Sequence, residues 1–207
     1  MPRPAAQRTL FGIFVGGRSS RMGGIPKGTL RAPDGAPSLV ERLVSLAKTV
    51  ETAATVLVGQ RDVYAHLDLP MLADEPAGVG PLGGLMALLS HAERGGFERV
   101  LAVACDLPYV SGPILERLIE HAPEAMAVAP HYGGQWQTLC ARYATASSVH
   151  ARRALSRGEH SLQGLLADLG SGACKLPLTP QEQALLRDWD SPDDIDHDGA
   201  HAGLERG

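Results

Sequence analysis

Aromatic residues are scarce in this chain: Phe, Trp and Tyr together fill 4% of its 207 positions. Proteins that hold single-stranded nucleic acid use aromatic side chains as stacking platforms, so that class is set aside first. An excess of positive charge is also missing. The formal net charge is −4, and no general field draws the chain to a phosphate backbone. The three cysteines, Cys105, Cys140 and Cys174, are odd in number and far apart. Such spacing argues against a disulfide framework and against a zinc site. No apolar run approaches the roughly eighteen residues of a membrane span, and no secretory leader pattern precedes Leu10. The expectation is a cytoplasmic enzyme with neither nucleic acid nor membrane as a partner. The length suits one α/β domain with a substantial core.

What the chain does have is a short apolar run that ends in glycine and cations: Phe14-Val15-Gly16-Gly17-Arg18-Ser19-Ser20-Arg21-Met22-Gly23-Gly24-Ile25-Pro26-Lys27. Glycines without Cβ atoms let a phosphate reach consecutive backbone N–H groups. Arg18, Arg21 and Lys27 add positive charge beside them, and Arg and Lys are the usual partners of phosphate. The alternative is a surface loop with scattered, solvated cations. Two phosphate loops are excluded by order and spacing. A Walker A loop needs Gly-Lys-Ser/Thr, whereas this chain reads Pro26-Lys27-Gly28-Thr29. A dinucleotide fingerprint needs Gly-x-Gly-x-x-Gly, which does not start at Gly16.

Beyond the loop, apolar periodicity predicts alternating elements. Strands are expected at residues 9–15, 53–58, 70–73, 99–104, 125–130 and 137–143, with helices at 38–50, 62–67, 112–122, 146–157 and 161–169. Ser38 and Glu41 form a capping-box pattern at the first helix. Gly158 and Gly170 stand where helices end. Gly78-Val79-Gly80-Pro81-Leu82-Gly83 does fit Gly-x-Gly-x-x-Gly and opens a helix through Leu85, Leu88, Leu89 and Ala92. No strong buried strand leads directly into it, however, as a dinucleotide site requires. Residues 99–104 read as the most buried strand and end in Cys105-Asp106-Leu107-Pro108. Ligands of open α/β sheets gather outside the carboxyl ends of strands, which places Asp106 where chemistry is expected. Its alternative role is to cap the following turn. Ser191, Pro192 and Asp194 mark a further helix start. His131, His150 and His160 are read as solvated, and Cys105 as a small core residue. Residues 1–8 and 196–207 are expected to be a disordered lead and tail around a domain of residues 9–195.

The glycine stretch resembles the nucleotidyltransferase signature Leu-Ala-Gly-Gly-x-Ser-x-Arg-Met-Gly-x-x-x-Lys, most nearly as the molybdenum cofactor guanylyltransferase (MobA-like) family carries it. The match runs through Gly16, Gly17, Ser19, Arg21, Met22, Gly23 and Lys27. Further on, Gly80-Pro81-Leu82-Gly83-Gly84 resembles the family's segment near base and sugar, and Cys105-Asp106-Leu107-Pro108 its metal-binding motif. Gln137 to Tyr143 resembles a later family strand, with Thr138 in place of proline. The resemblance implies a three-layer α/β sandwich with a mainly parallel sheet, the nucleotide-diphospho-sugar transferase (Rossmann-like) fold. It also implies transfer of GMP from GTP to the terminal phosphate of molybdopterin, with Mg2+ as cofactor and pyrophosphate leaving. Arg21, Lys27 and Asp106 are then the catalytic residues. Val15, Gly16, Gly17, Arg18, Ser19, Lys27, Asp74, Gly80, Pro81 and Asp106 bind nucleotide. Asp74 stands where the family has an aspartate for the guanine edge; its alternative is a loop-capping carboxylate. Asp106 holds metal, with Asp190 as a second carboxylate. Transient contacts with other cofactor-biosynthesis proteins or apo-molybdoenzymes are also implied.

Departures from the family keep other readings open. Pro26 precedes the lysine where an aspartate is usual. Val58-Gly59-Gln60-Arg61 offers an amide only at Gln60, where the family has asparagine. Asp188 and Asp190 replace two asparagines and are commoner in cytidylyltransferases. A molybdopterin cytidylyltransferase and a sugar-phosphate nucleotidyltransferase are the rival enzymes. A nucleotide-binding regulatory module without catalysis is the rival from another class, disfavoured by the joint presence of Arg21, Lys27 and Asp106.

Overall fold

A computed structural model describes residues 4–16, 25–59, 62–191 and 194. In chain order these form β1 (Thr9–Phe14), α1 (Leu39–Thr49), β2 (Ala54–Val58), β3 (Met71–Leu72), α2 (Pro81–Gly95), β4 (Arg99–Ala104), α3 (Gly112–Glu120), β5 (Ala127–Tyr132), β6 (Gln135–Trp136), β7 (Cys140–Ala144), α4 (Ser148–Ser156), α5 (Leu162–Leu169), β8 (Ala173–Leu176) and α6 (Pro180–Ala184). One sheet joins the strands in the order β3-β2-β1-β4-β7-β5-β6, with β8 paired to β5. β1 runs parallel to both β2 and β4, and β8 runs parallel to β5. β7 is antiparallel to β4 and β5, so the sheet is mainly, not wholly, parallel.

Period-two alternation assigns each strand residue to one of two cores. Leu10 and Phe14 of β1, with Val100 and Ala102 of β4, face α2, α4 and α5. Phe11 and Ile13, with Leu101 and Val103, face α1 and α3. Helices on both faces make the three-layer sandwich that the alternation of elements predicts. They also explain why β1 and β4 read as unbroken apolar runs. Fully burying each such Leu, Ile or Phe is worth about 1.5–3 kcal/mol relative to exposure.

The structure departs from several local expectations. Residues 6–8, read as part of a disordered lead, form a 3-10 turn, because Ala5 and Ala6 pack on the α1/α3 core and Arg8 pairs with Glu98. Ser38 does cap α1, but Glu41 reaches its hydroxyl instead of its backbone N–H. The full capping box lies at Thr179 and Glu182 of α6, in a stretch without strong periodicity. β8, in the same stretch, also went unpredicted: its four residues are too short for a pattern, and pairing with β5 makes it a strand. His131 is half-buried edge-on against Trp136, their ring centroids 4.9 Å apart, and is not a solvated histidine. The remaining lead residues, 1–3, and the tail from residue 195 lie outside the described residues.

The largest polar side chain in the core is Arg142 of β7, wholly buried. Its guanidinium donates to the carbonyls of Leu118, His121 and Ala122 at 3.0, 3.2 and 2.8 Å, where α3 ends. A cation suits the carbonyl end of a helix. Burial, then repulsion from Arg99, lowers its pKa to about 10.

Candidate functional site

The strand order turns at β1, whose two parallel neighbours, β2 and β4, lie on opposite sides. Open sheets of this kind form a crevice outside the carboxyl ends at such a switch point. Val15 follows β1 and is buried, its N–H bonded to the carbonyl of Val58 at 2.9 Å. Gly16 emerges exposed beyond it. Gly59, at the end of β2, has φ +106, and a Cβ there would stand 2.8 Å from the Gly16 nitrogen. Two glycines therefore press backbone on backbone at the floor of the crevice, where neither brings a side chain. Val15 can meet a ligand only through its main chain. Gly17, Arg18, Ser19 and Arg21 lie outside the described residues, as do Gln60 and Arg61.

The chain returns through a 3-10 turn, Lys27–Thr29, which Pro26 opens with φ −63. That angle is the one proline's ring sets, which accounts for proline at this position. Gly28 is buried, and a Cβ on it would overlap Val40 and Tyr64. The turn is thus pressed onto α1, and the Lys27 stem leaves it toward the crevice. Its Nζ donates to Asp106 Oδ2 at 2.9 Å and to Asp190 Oδ1. The lysine side chain is 16% exposed, Asp106 22% and Asp190 47%, so the cluster is closed on the lysine side and open beside Asp190. Burial draws the Lys27 pKa down, but the hydrogen bonds and charges of Asp190 and Asp106 outweigh it and hold the ammonium above its usual range.

Asp190 is brought here from 84 residues beyond Asp106 by a buried tryptophan. Trp189 is 1% exposed and sits among Ala32, Leu39, Leu30, Ala36 and Tyr109. Its N–H donates to the Asp106 carbonyl at 2.9 Å. Asp194 secures the far side by accepting from the N–H groups of Asp190 and Ser191 and from the Ser191 hydroxyl, at 3.0, 2.7 and 2.8 Å. Asp188, on the other flank of Trp189, faces solvent at the crevice. Surrounding protein raises its pKa, and the charges of Asp190 and Asp106 raise it further against the pull of Lys27.

Across the crevice, Asp74 follows β3 and lies over the first turn of α2. A Cβ on Gly84 would be 3.3 Å from its Oδ1, and one on Gly83 3.4 Å from its Cβ. The two glycines let the carboxylate settle there. Gly80, φ +72, caps α2, and Pro81 is its first residue. The helix therefore begins without a side-chain cap. Burial raises the Asp74 pKa.

The structure thus gathers Lys27, Asp106 and Asp190 within bonding distance, and puts Gly16, Asp74, Gly80 and Pro81 on the neighbouring strand ends and helix start. One participant escaped the sequence reading. Trp189 carries no periodic signal, and its role shows only through partners distant in sequence. In the sequence Asp188 reads, with Asp190, as a replacement for a family asparagine that makes a second metal-facing carboxylate possible, and its coupling to the charges of Asp106 and Lys27 depends on the fold. The carboxylate oxygens of Asp106 and Asp190 suit a hard divalent cation. Among the described residues no three His, Cys, Asp or Glu side chains gather as a self-sufficient metal centre. An ion held here would need further oxygen ligands from substrate or water. No helix among the described residues is long and apolar enough to cross a membrane.

Residues 12–173 match the model of the MobA-like NTP transferase domain. A molybdenum cofactor guanylyltransferase of Cereibacter sphaeroides is 32% identical over 187 residues, covering 90% of this chain and 93% of that one. A probable molybdenum cofactor guanylyltransferase of Chloroflexus aggregans is 33% identical over 160 residues, 74% of each chain. Among solved structures, molybdopterin-guanine dinucleotide biosynthesis protein A from Archaeoglobus fulgidus superposes with a TM-score of 0.72 at 22% identity, over 91% of this chain and 96% of that one. A 2-C-methyl-D-erythritol 4-phosphate cytidylyltransferase from Thermus thermophilus shares the fold, with a TM-score of 0.65 at 16% identity, over 93% and 98%. Use of a divalent metal is consistent with this family. With its nucleotide-diphospho-sugar transferase fold, the chain belongs to the MobA-like NTP transferase family and is a nucleotidyltransferase.

Proposed function

We propose that this chain transfers GMP from GTP to the terminal phosphate of molybdopterin, with Mg2+ as its divalent metal and the cytoplasm as its setting. The observation that carries the reading is the convergence of Lys27, Asp106 and Asp190 at the switch-point crevice. An acceptor phosphate oxygen attacks the α-phosphorus of GTP, the bond from that phosphorus to the bridging oxygen breaks, and pyrophosphate leaves with the electron pair. A phosphomonoester has a second pKa of about 6 and is largely dianionic near neutrality, so the acceptor needs no general base. What the site must do is bring two anions together and offset their charge. Lys27 supplies positive charge to the triphosphate. Asp106, with Asp190, holds Mg2+, which supplies further positive charge when bound.

Asp74 supports guanine as the base. Its carboxylate is raised in pKa by burial and lies at the crevice beside α2. Guanine presents N1–H and its 2-amino group side by side, the donor pair a carboxylate accepts, and cytosine has no such pair. Leaving that acceptor unpaired costs about 1–3 kcal/mol, roughly ten- to a hundredfold in affinity. Competition between GTP and CTP, with molybdopterin and Mg2+, tests the proposal in wild type and Asp74→Ala. We expect wild type to prefer GTP and the variant to lose most of that preference. Equal or better use of CTP by wild type overturns guanylyl transfer in favour of the cytidylyl reaction, toward which Asp188 and Asp190 point.

A further inference from the structure

The Lys27 ammonium occupies the place between two carboxylates that a divalent cation would need. It donates to Asp106 at 2.9 Å and to Asp190, with its own side chain 16% exposed and the cluster open to solvent beside Asp190. The described residues around it are held in place. The lysine's own turn is pressed on Val40 and Tyr64 through Gly28. The Asp106 backbone is tied to Trp189. Asp190 and Ser191 are held by Asp194. The movable part is the lysine stem, four methylenes long and ending in three rotatable donors.

We infer that Lys27 keeps the Asp106–Asp190 pair closed to divalent metal until a triphosphate draws its ammonium away, so that metal is taken up with the nucleotide and not before it. The inference rests on the reading of this crevice as a nucleoside triphosphate site. An ammonium and a divalent ion cannot share these oxygens, because like charges a few ångströms apart repel strongly away from bulk water. The pair alone is also a poor Mg2+ site, with two carboxylates and no third side-chain donor gathered among the described residues. A triphosphate changes both conditions. Its oxygens give Lys27 a more highly charged partner, and they complete the coordination of a metal on the carboxylates now released. Lys27 thus has two consecutive partners, first the carboxylates and then the phosphate. Lys27 also offsets the mutual repulsion of the two carboxylates without a metal.

Mn2+, visible by paramagnetic resonance, serves as the probe in place of Mg2+, titrated into the full chain with and without a non-hydrolysable GTP analogue. Wild type should bind Mn2+ weakly alone. Lys27→Met, which keeps the stem and removes the charge, should bind it about tenfold or more tightly without nucleotide, a coupling of ordinary size. Adding Asp106→Asn to Lys27→Met should abolish the gain. Lys27→Gln provides a second uncharged variant if Lys27→Met does not fold, as judged by circular dichroism. In wild type the analogue should raise Mn2+ affinity beyond the analogue's own affinity for Mn2+. Unchanged Mn2+ binding in the folded uncharged variant overturns the inference, as does wild type that binds Mn2+ equally with and without the analogue. Repeating the titration with a CTP analogue separates the two proposals. Coupling with the CTP but not the GTP analogue leaves the exchange standing and removes guanine. Guanylyl transfer without any Mn2+ gain in the lysine variants does the reverse.

Discussion

Asp74 and Lys27 are both charged groups at a crevice, yet they are treated differently. Lys27 has two carboxylates against it, and its charged form is favoured despite burial. Burial acts on Asp74 the other way, disfavouring its charge. A folded-state pKa above the unfolded value contributes stability at low pH, and that contribution is lost as pH rises from 3.8 through the raised value. Near neutrality the ionised Asp74 therefore costs the nucleotide-free protein stability. Asp74→Asn should raise the melting temperature at neutral pH while weakening the preference for GTP, and the gain should shrink as pH is lowered toward the ordinary aspartate range. A lower melting temperature at neutral pH would mean that the first turn of α2 stabilises this carboxylate more than burial opposes it.

At the scale of elements, the site depends on a strap that is neither helix nor strand. The segment from Arg187 to Ser191 crosses the end of β4, and Trp189 plugs it into a small cluster separate from both main cores. The Tyr109 ring meets Trp189 edge-on, with centroids 6.1 Å apart, and the Arg187 guanidinium lies 4.7 Å over the centre of the Tyr109 ring. Trp189→Ala should cost about 3–5 kcal/mol in urea denaturation, the usual range for a buried tryptophan. It should also loosen Asp190 and weaken nucleotide binding. Trp189→Phe should recover most of both, since the Asp106 contact is made by the backbone. If Trp189→Ala unfolds at the wild-type urea concentration, the strap does not depend on its tryptophan.

For the whole molecule, Arg142 ties the far half of the sheet to α3. Its position in β7 is opposite Leu101 of β4, and its guanidinium reaches across to the end of α3. Arg142→Met keeps an unbranched apolar stem but removes the guanidinium, leaving the buried Leu118 carbonyl without its donor at a cost of about 1–3 kcal/mol and taking the donor from the part-buried carbonyls of His121 and Ala122. Chemical denaturation should show a loss of at least that size, with nucleotide selectivity unchanged in the folded fraction because the cap lies away from the crevice. A stability equal to wild type would mean that water replaces the guanidinium.

The amino-acid pattern alone determined the α/β class, the most buried strands and the end of the sheet at which Asp106 lies. These follow from local rules: apolar runs for strands covered on both faces, helical spacing for the helices, and ligands at carboxyl ends of strands. The glycines and the lysine after β1 stand out in the sequence too, because glycine-rich and cationic composition is a local signal. Tertiary structure decided what local rules cannot reach. β8 is a strand only because β5 offers it an edge. Asp190 joins Lys27 only because Trp189 finds a hydrophobic site built from residues 30–39 and Tyr109. Asp74 is desolvated only because Gly83 and Gly84 leave room for it on α2. For β8 and Trp189 the partner is remote along the chain, and for Asp74 it lies in the next element; each interaction depends on distance in space, which periodicity within one segment does not encode.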